Sequence, residues 1–397
     1  MKKKILIAYG AMNVGGSTTS LLSLLNALDP EQYEIDLQLQ NHTGVLMDQI
    51  PGHICLLPPA GKYTGIKGKL IKGMIGLFSG ELLRAWMVNR KYKKTGFSRQ
   101  ALADLVAKRF SKENPKEYDI AIGFLEGWPA RYIAYQIKAK KKFGWLHSTF
   151  ANLAPIPELE KQWMDRVDYV VFVAEDCKIA FAETMPEYAH KAIAIHNITD
   201  SVLIRKKAEQ TDETDADYLY FRDADCFKVV TVCRVDISVK GLDRMVACVQ
   251  KLKAEGKKLL WAVVGDGADL EQLRKMIADN GVEDYIMTVG NRLNPLPFVK
   301  TADVFCMLSR YEGKPMVITE SMILGTPPLV TRYLSAGEQI CDGIEGIIVE
   351  NEDLSAVPAL CKCIDEPEKI REMKEYLLKK DYGNSEYIHT IMQTYFN

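Results

Sequence analysis

The sequence predicts an α/β protein with two doubly wound parallel sheets, and three observations lead to this fold class. Short apolar runs alternate with amphipathic stretches in both halves of the 397-residue chain, which is the pattern of βαβ units. An acidic stretch without apolar periodicity, 208–226, interrupts the alternation, which then restarts. The apolar share of 47% and the charged share of 26% are ordinary for globular proteins. We expect domains over 1–205 and 227–375, an acidic linker over 206–226, and a C-terminal helix over 376–397 that could cross back to the first domain.

The first half begins with "MKKKILIAYGAM", whose apolar stretch ends at Gly10. This is typical of a first β-strand and too short for a signal peptide. An amphipathic helix is expected at 18–28, after that strand. The remaining apolar or alternating runs complete a series of strands, which we place at 4–10, 33–40, 118–125, 141–147, 167–174 and 191–197.

The second half repeats this organisation. Helices are expected at 241–256 and 268–281, and strands at 227–235, 259–267, 285–290, 302–308 and 327–332. Two such domains would face each other across a cleft. Ligands of open α/β sheets bind outside the carboxyl ends of the strands, so the residues that follow each strand are the candidates for a site.

The stretch "SRYEGKPMVITESMILGTPPLV", 309–330, contains a helix that is apolar on nearly every face, with Pro315 near its start and Gly325 just after its end. Glu320 lies in the middle of this helix. A buried carboxylate must be hydrogen-bonded or paired, or its pKa rises and it becomes neutral. A vicinal diol could donate both hydroxyls to Glu320; the alternative is an ion pair with an arginine such as Arg332.

An anion site is expected beside that helix. The first N–H groups of a helix are free and its dipole favours negative charge, while Gly313 would let a ligand approach closely. Arg234 and Lys240 follow a strand in "CRVDISVKGLD" and could clamp a diphosphate; alternatively they are solvated surface charges. Two hydroxyl-binding carboxylates, Glu312 and Glu320, would then flank a phosphate site, the order that suits a nucleoside diphosphate sugar.

The second half resembles the retaining GT-B glycosyltransferases of family 4. The resemblance is carried over about 120 residues by "VTVCRVDISVKGLDRMV", "AVVGDGADLEQLRKMI", "TVGN" and "ADVFCMLSRYEGKPMVITESMILGTPPLV". In the last stretch Glu312 and Glu320 are separated by seven residues, which matches the E-x7-E motif of that family. The first half resembles it more loosely, through "GAMNVGGSTTSLLSLLNAL" and "KKFGWLHSTF".

The resemblance implies roles for individual residues. Glu320 would hold the ribose diol, Glu312 the hydroxyls of the donor sugar, and Arg234 and Lys240 the diphosphate. His147 would face the reacting centre, although it could instead be a histidine of the cleft wall that moves no proton. The other implied donor-binding positions are backbone or glycine sites: Gly15, Gly16, Gly265, Val289, Gly290, Asn291, Gly313, Lys314, Pro315, Met316 and Val317.

The mechanism that the resemblance implies is front-face displacement with retention, without a metal ion or other cofactor.

Two departures from the family concern the loop after the first strand of the second domain: Cys233 stands where glycine is usual, and Asp236 is uncommon. The pairs Asp215/Asp217 and Asp223/Asp225 lie in the acidic stretch, and we interpret them as solvated. "GAMNVGGST" lacks the lysine of a phosphate loop and the spacing of G-x-G-x-x-G, which argues against nucleotide hydrolysis and hydride transfer.

Charge is distributed unevenly along the chain. Residues 1–200 have 26 Lys and Arg against 20 Asp and Glu, whereas residues 201–397 have 25 against 32. Residues 62–99 contain ten basic side chains and one acid, Glu81. Apolar residues recur between the lysines there, so we expect a basic amphipathic segment on an anionic membrane; the alternative is a solvated helical pair packed on the first domain. Glu126 could then contact a lipid-linked acceptor, cap a helix or form an ion pair.

The sequence therefore predicts a cytoplasmic enzyme, peripheral on the inner face of the plasma membrane. It would transfer a hexose, with retention, from a nucleotide sugar to a saccharide or lipid-linked acceptor in cell-surface polysaccharide biosynthesis. UDP is favoured over GDP or ADP as the carrier, and no nucleic-acid partner is expected. Nine cysteines without a CxxC pair fit reduced thiols. The alternatives are a sugar-nucleotide 2-epimerase of the same architecture and a non-catalytic GT-B-like subunit.

Overall fold

The computed structural model describes residues 2–62, 87, 90, 99–153 and 155–396. The chain divides into two compact units, Met1–Asn197 with Glu386–Asn397, and Ile198–Ser385. The basic segment expected at 62–99 lies almost wholly outside the described residues. Within the part that is described, no helix combines the length and the apolarity needed to cross a membrane.

The described strands of the first unit form one parallel sheet in the order β3-β2-β1-β4-β5-β6-β7. Its strands are β1 (Lys3–Tyr9), β2 (Tyr33–Leu39), β3 (Cys55–Leu56), β4 (Glu117–Gly123), β5 (Lys138–Leu146), β6 (Tyr169–Phe172) and β7 (Ala192–Ala194). Its helices are α1 (Gly16–Ala27), α2 (Arg99–Arg109), α3 (Trp128–Gln136), α4 (Pro157–Met164) and α5 (Glu175–Thr184), with 3-10 turns at Met47–Gln49, Phe150–Leu153 and Pro186–Lys191. The apolar runs of β1, β4 and β5 become its buried layer, as expected of parallel strands covered on both faces.

The described strands of the second unit form a parallel sheet in the order β10-β9-β8-β11-β12-β13. Its strands are β8 (Phe227–Val232), β9 (Leu259–Val264), β10 (Ile286–Gly290), β11 (Val304–Met307), β12 (Pro328–Thr331) and β13 (Ile347–Val349). Its helices are α6 (Ser201–Ala208), α7 (Ala216–Asp223), α8 (Ile237–Lys240), α9 (Leu242–Ala254), α10 (Leu270–Asp279), α11 (Leu296–Thr301), α12 (Met316–Ile323), α13 (Ala336–Gln339), α14 (Ala356–Asp365) and α15 (Pro367–Lys379). The predicted fold class, two doubly wound parallel sheets, is confirmed.

The acidic stretch after α6 differs from the expected linker. Helix α7 forms inside it, capped by the side chain of Asp215, which accepts the N–H groups of Asp217 and Tyr218. Tyr218 and Phe221 are buried in the core of the second unit. The sequence pattern did not reveal this helix because an eight-residue helix with two buried aromatics among acidic residues leaves a weak periodic signal.

The C-terminal helix α16 (Tyr387–Tyr395) belongs to the first unit. The ammonium groups of Lys3 and Lys141 donate to the carbonyls of Phe396 (2.9 Å) and Tyr395 (3.2 Å). These contacts stabilise the C-terminus of the helix, because its last carbonyls have no partner within the helix and its dipole is negative at that end. The ring of Phe396 packs 5.1 Å from that of Phe143, centroid to centroid. Residues 376–397 are thus not one helix, since α15 ends at Lys379 and α16 starts at Tyr387.

Candidate functional site

The loops after β8 and β11 bring Lys240 and Glu312 together. The ammonium of Lys240 lies 2.6 Å from a carboxylate oxygen of Glu312, and both side chains are mostly buried. Burial lowers the pKa of Lys240, but the Glu312 carboxylate outweighs this effect and the net pKa is raised. Lys240 is therefore a permanently charged group at the carboxyl edge of the sheet, held by a carboxylate.

Close backbone packing explains why glycine stands beside Lys240. Helix α8 is a single turn that ends at Gly241, where φ is 63°. A Cβ at Gly241 would lie 2.0 Å from the carbonyl oxygen of Leu308, so the turn that carries Lys240 is pressed against the end of β11. Gly265 is constrained in the same way, because its Cβ would lie 1.8 Å from the carbonyl oxygen of Cys233.

Helix α12 begins with Pro315 as its N-cap, and Gly325, at φ 75°, follows its last turn as predicted. The N–H groups of Met316 and Val317 find no acceptor among the described residues, which is normal for a helix N-terminus. Helix α13 supports the loop before them: the Ser335 hydroxyl donates to the carbonyl of Gly313, and the Gln339 amide donates to that of Pro315 at 3.0 Å.

The side chain of Lys314 belongs to the same support. Its ammonium pairs with Glu338 of α13 at 2.9 Å. The loop 313–315 is thus held in one shape by three contacts with α13. The two free N–H groups at the start of α12, which this loop precedes, form a preorganised place for an anion.

Glu320 lies half-buried in α12, with no hydrogen bond or ion pair to its carboxylate among the described residues. Burial raises the pKa of Glu320 from 4.5 to about 7, and the ammonium of Lys207, on α6, opposes that rise. Arg332 does not pair with Glu320, because its guanidinium binds Glu350 at 3.0 Å. The carboxylate is thus poised between its neutral and ionised forms, and a partner that donates hydrogen bonds would favour the ionised form.

The loop after β10 is held by Arg292. Its guanidinium binds both oxygens of Asp215, at 2.6 Å and 3.0 Å, and one oxygen of Asp217 at 2.8 Å. It also donates to the carbonyl of Val289 at 2.7 Å. Asp215, 13% exposed at its side chain, is therefore not solvated, which corrects the interpretation from sequence. Asp217 stays partly exposed, and Asp223 and Asp225 are exposed as predicted, with Asp223 paired to Arg222 at 2.8 Å.

Two other predicted positions of the second unit have looser surroundings. The side chain of Arg234 is 71% exposed and its guanidinium lies 3.7 Å from Asp236, so it can turn toward a ligand at little cost. The unexpected Cys233 is a thiol whose pKa burial raises to about 12. Asp236 caps α8 by accepting the N–H of Val239.

In the first unit, Gly15 and Gly16 lie at the start of α1, after β1. A Cβ on either glycine would meet no protein atom within 4 Å. The φ of Gly15 is 165°, which is extended backbone that any residue adopts. Neither packing nor backbone conformation in the described protein requires glycine here, whereas the close approach of a ligand would.

His147 follows β5, and its ring packs edge-on against Phe124 with centroids 4.9 Å apart. Burial lowers the pKa of His147, although the Glu126 carboxylate and the carbonyl of Phe124 oppose this shift. Its Nε2 is buried without a hydrogen-bond partner in the described structure. Glu126 accepts the N–H of His147 and the hydroxyl of Ser148, each at 2.9 Å, so it positions the segment that carries the histidine. Whether His147 or Glu126 contacts a substrate stays a prediction.

Three contributors to the site were missed from sequence: Lys207, Arg292 and Glu338. They lie on α6, on the loop after β10 and on α13, and only tertiary contacts bring them to Glu320, Val289 and Lys314. No local sequence signal distinguishes such Lys, Arg or Glu residues from surface charges. No group of three His, Cys, Asp or Glu suited to a metal ion occurs in the described ranges.

Comparison with known proteins agrees with this geometry. Residues 223–380 match the sequence model of the family described as Glycosyl transferases group 1. The match lies within the second unit and covers less than half of the chain. The match contains the whole arrangement built from Lys240, Glu312 and Glu320.

Two curated proteins are similar over part of the chain. A GDP-mannose-dependent alpha-(1-6)-phosphatidylinositol monomannoside mannosyltransferase of Mycolicibacterium smegmatis is 32% identical over 127 residues, which are 30% of this chain and 33% of the relative. The lipopolysaccharide core biosynthesis glycosyltransferase LpsE of Rhizobium meliloti is 34% identical over 116 residues, 29% of this chain and 32% of the relative. The chain thus spans about a third of the length of these relatives.

The crystal structure of Anabaena Alr3699/HepE in complex with UDP and glucose is similar over 99% of both chains, with a TM-score of 0.70 and 16% identity. At this identity the likeness concerns the fold. The protein has the GT-B fold, with one parallel-sheet unit from each half of the chain.

Proposed function

We propose that this protein is a glycosyltransferase that takes a hexose from a nucleoside diphosphate sugar, with UDP as the carrier. The observation that carries the proposal is Glu320, a half-buried carboxylate with no partner in the described structure. It lies about one turn after the two free N–H groups on the same helix, which the loop with Glu312 and its Lys240 pair precedes. A ribose diol can donate two hydrogen bonds to one carboxylate, which would compensate the burial that raises the pKa of Glu320.

The other groups of the site suit the rest of such a donor. The N–H groups of Met316 and Val317 and the ammonium of Lys240 offer hydrogen bonds to phosphate oxygens. Arg234, largely exposed, can close onto the same diphosphate. Glu312 is a carboxylate with several acceptor positions, and would accept hydroxyls of the sugar.

The proposed reaction retains the configuration of the anomeric carbon and uses no metal ion or cofactor. As the bond from the sugar to the phosphate breaks, negative charge develops on the leaving diphosphate, and Lys240 with the helix N–H groups would stabilise it. Preorganised donors of this kind are worth several kcal/mol, about 3–4 for one well-placed group. The acceptor hydroxyl would attack from the face that the phosphate leaves and give it its proton.

We propose that the acceptor is a saccharide or lipid-linked saccharide of cell-surface polysaccharide biosynthesis. Support comes from LpsE, whose name places it in lipopolysaccharide core biosynthesis, and from the mycobacterial relative, named for a phosphatidylinositol mannoside acceptor.

Turnover of radiolabelled UDP-glucose, UDP-galactose and UDP-N-acetylglucosamine tests the proposal. Purified protein is incubated with each donor and with membranes from the source cell, and the label is followed in lipid, saccharide and nucleotide-sugar fractions. We expect label in the lipid or saccharide fraction, unaffected by EDTA.

Two results would favour the alternatives. Interconversion of the nucleotide sugar in solution, without acceptor, would indicate a 2-epimerase. Absence of turnover together with absence of UDP binding by calorimetry would contradict the donor proposal and leave a non-catalytic subunit.

We also propose that the protein is cytoplasmic and binds the inner face of the plasma membrane through the sequence 62–99. This proposal is supported by composition, ten basic residues against one acid. Each cation near an anionic surface contributes about 1 kcal/mol. Phosphorylated or lipid-linked acceptors would be presented at the same surface.

Liposome sedimentation tests the membrane proposal. Replacing Lys67, Lys69 and Lys72 by Glu changes the charge of the segment by six units, and we expect the bound fraction on anionic vesicles to fall at least about tenfold. The control replaces three exposed lysines elsewhere, Lys138, Lys140 and Lys275, by Glu, which gives a variant of equal net charge. Equal sedimentation of the two variants would contradict a role for the segment.

A further inference from the structure

The turn that carries Lys240 is held by Arg310, which follows β11. The backbone N–H of Arg310 donates to the carbonyl of Val239 at 2.9 Å, and its guanidinium Nη1 donates to the carbonyl of Ser238 at 3.2 Å. The same guanidinium binds both carboxylate oxygens of Asp243, in the first turn of α9, at 2.9 Å and 2.7 Å. Arg310 therefore joins the end of α8 to the start of α9.

Lys240 lies in the chain between the groups that Arg310 binds. The two carbonyls precede it and Asp243 follows it, so the backbone is fixed on both sides of the lysine. Its ammonium is fixed as well, because Glu312, two residues after Arg310, binds it at 2.6 Å. One loop thus determines both where the lysine side chain starts and where its charge lies.

The loop after β13 supports Arg310 in turn. The side-chain amide of Asn351 donates to the carbonyl of Arg310 at 3.0 Å. The buried Arg244 fixes Asn351, since its Nη1 donates to the side-chain oxygen of Asn351 at 2.6 Å. Asp353 accepts from Nε of Arg244 at 2.8 Å and lies 3.9 Å from Nη2 of Arg310. Three loops at the carboxyl edge of the sheet are therefore joined around the guanidinium of Arg310.

These contacts occupy the guanidinium of Arg310 itself. Its Nη1 donates to a carbonyl oxygen and a carboxylate oxygen, its Nη2 donates to the second carboxylate oxygen, and the side chain is 24% exposed. A planar guanidinium can make such bonds at the same time, whereas a lysine ammonium acts as a single point charge. Arg310 is thus placed to orient its neighbours rather than to bind a ligand.

We propose that Arg310 is a positioning residue, which holds the α8 turn so that the ammonium of Lys240 faces the diphosphate of the donor. The inference rests on the proposed function, in which Lys240 stabilises that diphosphate. A cation that is already in place binds phosphate without the entropic cost of ordering it. Glu320, on α12, is outside this network, so contacts to the ribose do not depend on Arg310.

Calorimetric titration with UDP, and with uridine by displacement of UDP, tests the inference. Uridine lacks the phosphates, so the ratio of the two dissociation constants measures what the diphosphate adds to binding. In Arg310→Met the backbone bond to Val239 remains, but the bonds to Ser238 and Asp243 are lost. We expect the advantage of UDP over uridine to fall about tenfold, while the dissociation constant for uridine changes less than about twofold.

Two further variants keep a positive charge at position 310. Arg310→Lys cannot bind Ser238 and Asp243 together, so we expect it to lower the advantage of UDP nearly as much as Arg310→Met. Asp243→Asn retains the guanidinium but weakens its fixation, and should give an intermediate ratio. If Arg310→Met fails to fold, these two variants decide the test.

A double-variant cycle shows whether Arg310 acts through Lys240. In the Lys240→Met background the ammonium is absent, so adding Arg310→Met should change the advantage of UDP less than about twofold. Equal effects of Arg310→Met with and without Lys240 would overturn the positioning role. Tighter UDP binding by Asp243→Asn would also overturn it, because the released guanidinium would then bind phosphate itself.

Arg222→Met is the matched control. Arg222 binds both oxygens of Asp223, at 2.8 Å and 3.2 Å, on α7, so the variant removes an arginine with the same kind of partner. It should leave the advantage of UDP unchanged.

The outcomes separate this inference from the proposed function. Absence of UDP binding by the unmodified protein would overturn the proposed function and, with it, the inference. Tight UDP binding whose advantage over uridine survives in Arg310→Met and Arg310→Lys would overturn the inference alone. So would an equal loss of affinity for UDP and uridine, since a merely structural role of Arg310 weakens both ligands.

Discussion

Glu320→Gln is expected to raise the melting temperature of the free protein near pH 8 and to weaken its stabilisation by UDP. Burial raises the pKa of Glu320 from 4.5 to about 7, so the folded state favours the protonated form. The associated stability is fully present below about pH 4.5 and is lost as the pH rises through 7. The full shift corresponds to about 3 kcal/mol; since the side chain is only half-buried, we expect about 1–2 kcal/mol.

Near pH 8 the unmodified protein has lost this contribution to the free energy of unfolding and the variant has not. We therefore expect a melting temperature about 3–6 °C higher for the variant, measured by calorimetry. Near pH 5 the carboxyl is protonated and the difference should vanish. The dissociation constant for UDP should increase at least about 30-fold, because hydrogen bonds to a charged group are lost. Glu372→Gln, at an exposed carboxylate of α15, is the control and should change neither quantity.

The same group gives UDP binding a pH dependence. Because the diol favours the ionised carboxylate, affinity should increase about tenfold from pH 6 to pH 8 in the unmodified protein. Phosphate ionisation contributes to such a profile, so the comparison is with Glu320→Gln, which retains only that contribution. Identical profiles for the two proteins would contradict the assignment of Glu320 to the ribose.

Lys240→Met is expected to lower kcat about 10²–10³-fold. The substitution removes the positive charge that would face the leaving diphosphate, and one preorganised electrostatic donor contributes about this much. It also leaves Glu312, 11% exposed at its side chain, without its ion pair, which destabilises the protein. Turnover of the radiolabelled donor and thermal unfolding measure the two effects separately.

A second substitution distinguishes catalysis from stability. Lys240→Met with Glu312→Gln removes both charges, and we expect the melting temperature to recover while kcat stays low. Lys257→Met is the matched control, since Lys257 pairs with Asp365 at 2.7 Å with a similarly buried side chain. Recovery of kcat in the double variant would show that Lys240 acts only by compensating Glu312.

Both sheets of the GT-B fold could be predicted from the sequence because parallel strands are covered on both faces and appear as short apolar runs. The strands β1, β4, β8 and β9 were found within a few residues of their observed ends. The short edge strands β3 and β13 were missed, since two or three residues carry no periodicity. Helix α7 was missed because its two buried aromatics lie among acidic residues and give a weak periodic signal.

Within the site, the sequence by itself determined the residues that follow strands and the helix that carries Glu320. A carboxylate in an otherwise apolar helix can be recognised from the sequence, and so can the proline and the glycine that mark the ends of that helix. These features depend only on residues that are close in the sequence, so the sequence alone reveals them.

Only the tertiary structure decided the partners of those residues. Lys240 was placed against Glu312, Arg332 was assigned to Glu350, and Arg292 was joined to Asp215 in a stretch that the sequence presented as solvated. Ion pairs form between residues far apart in the chain, and their free energy depends on burial and distance rather than on spacing. The sequence does not show which basic residue pairs with which acidic residue, because only the fold determines which side chains come close together.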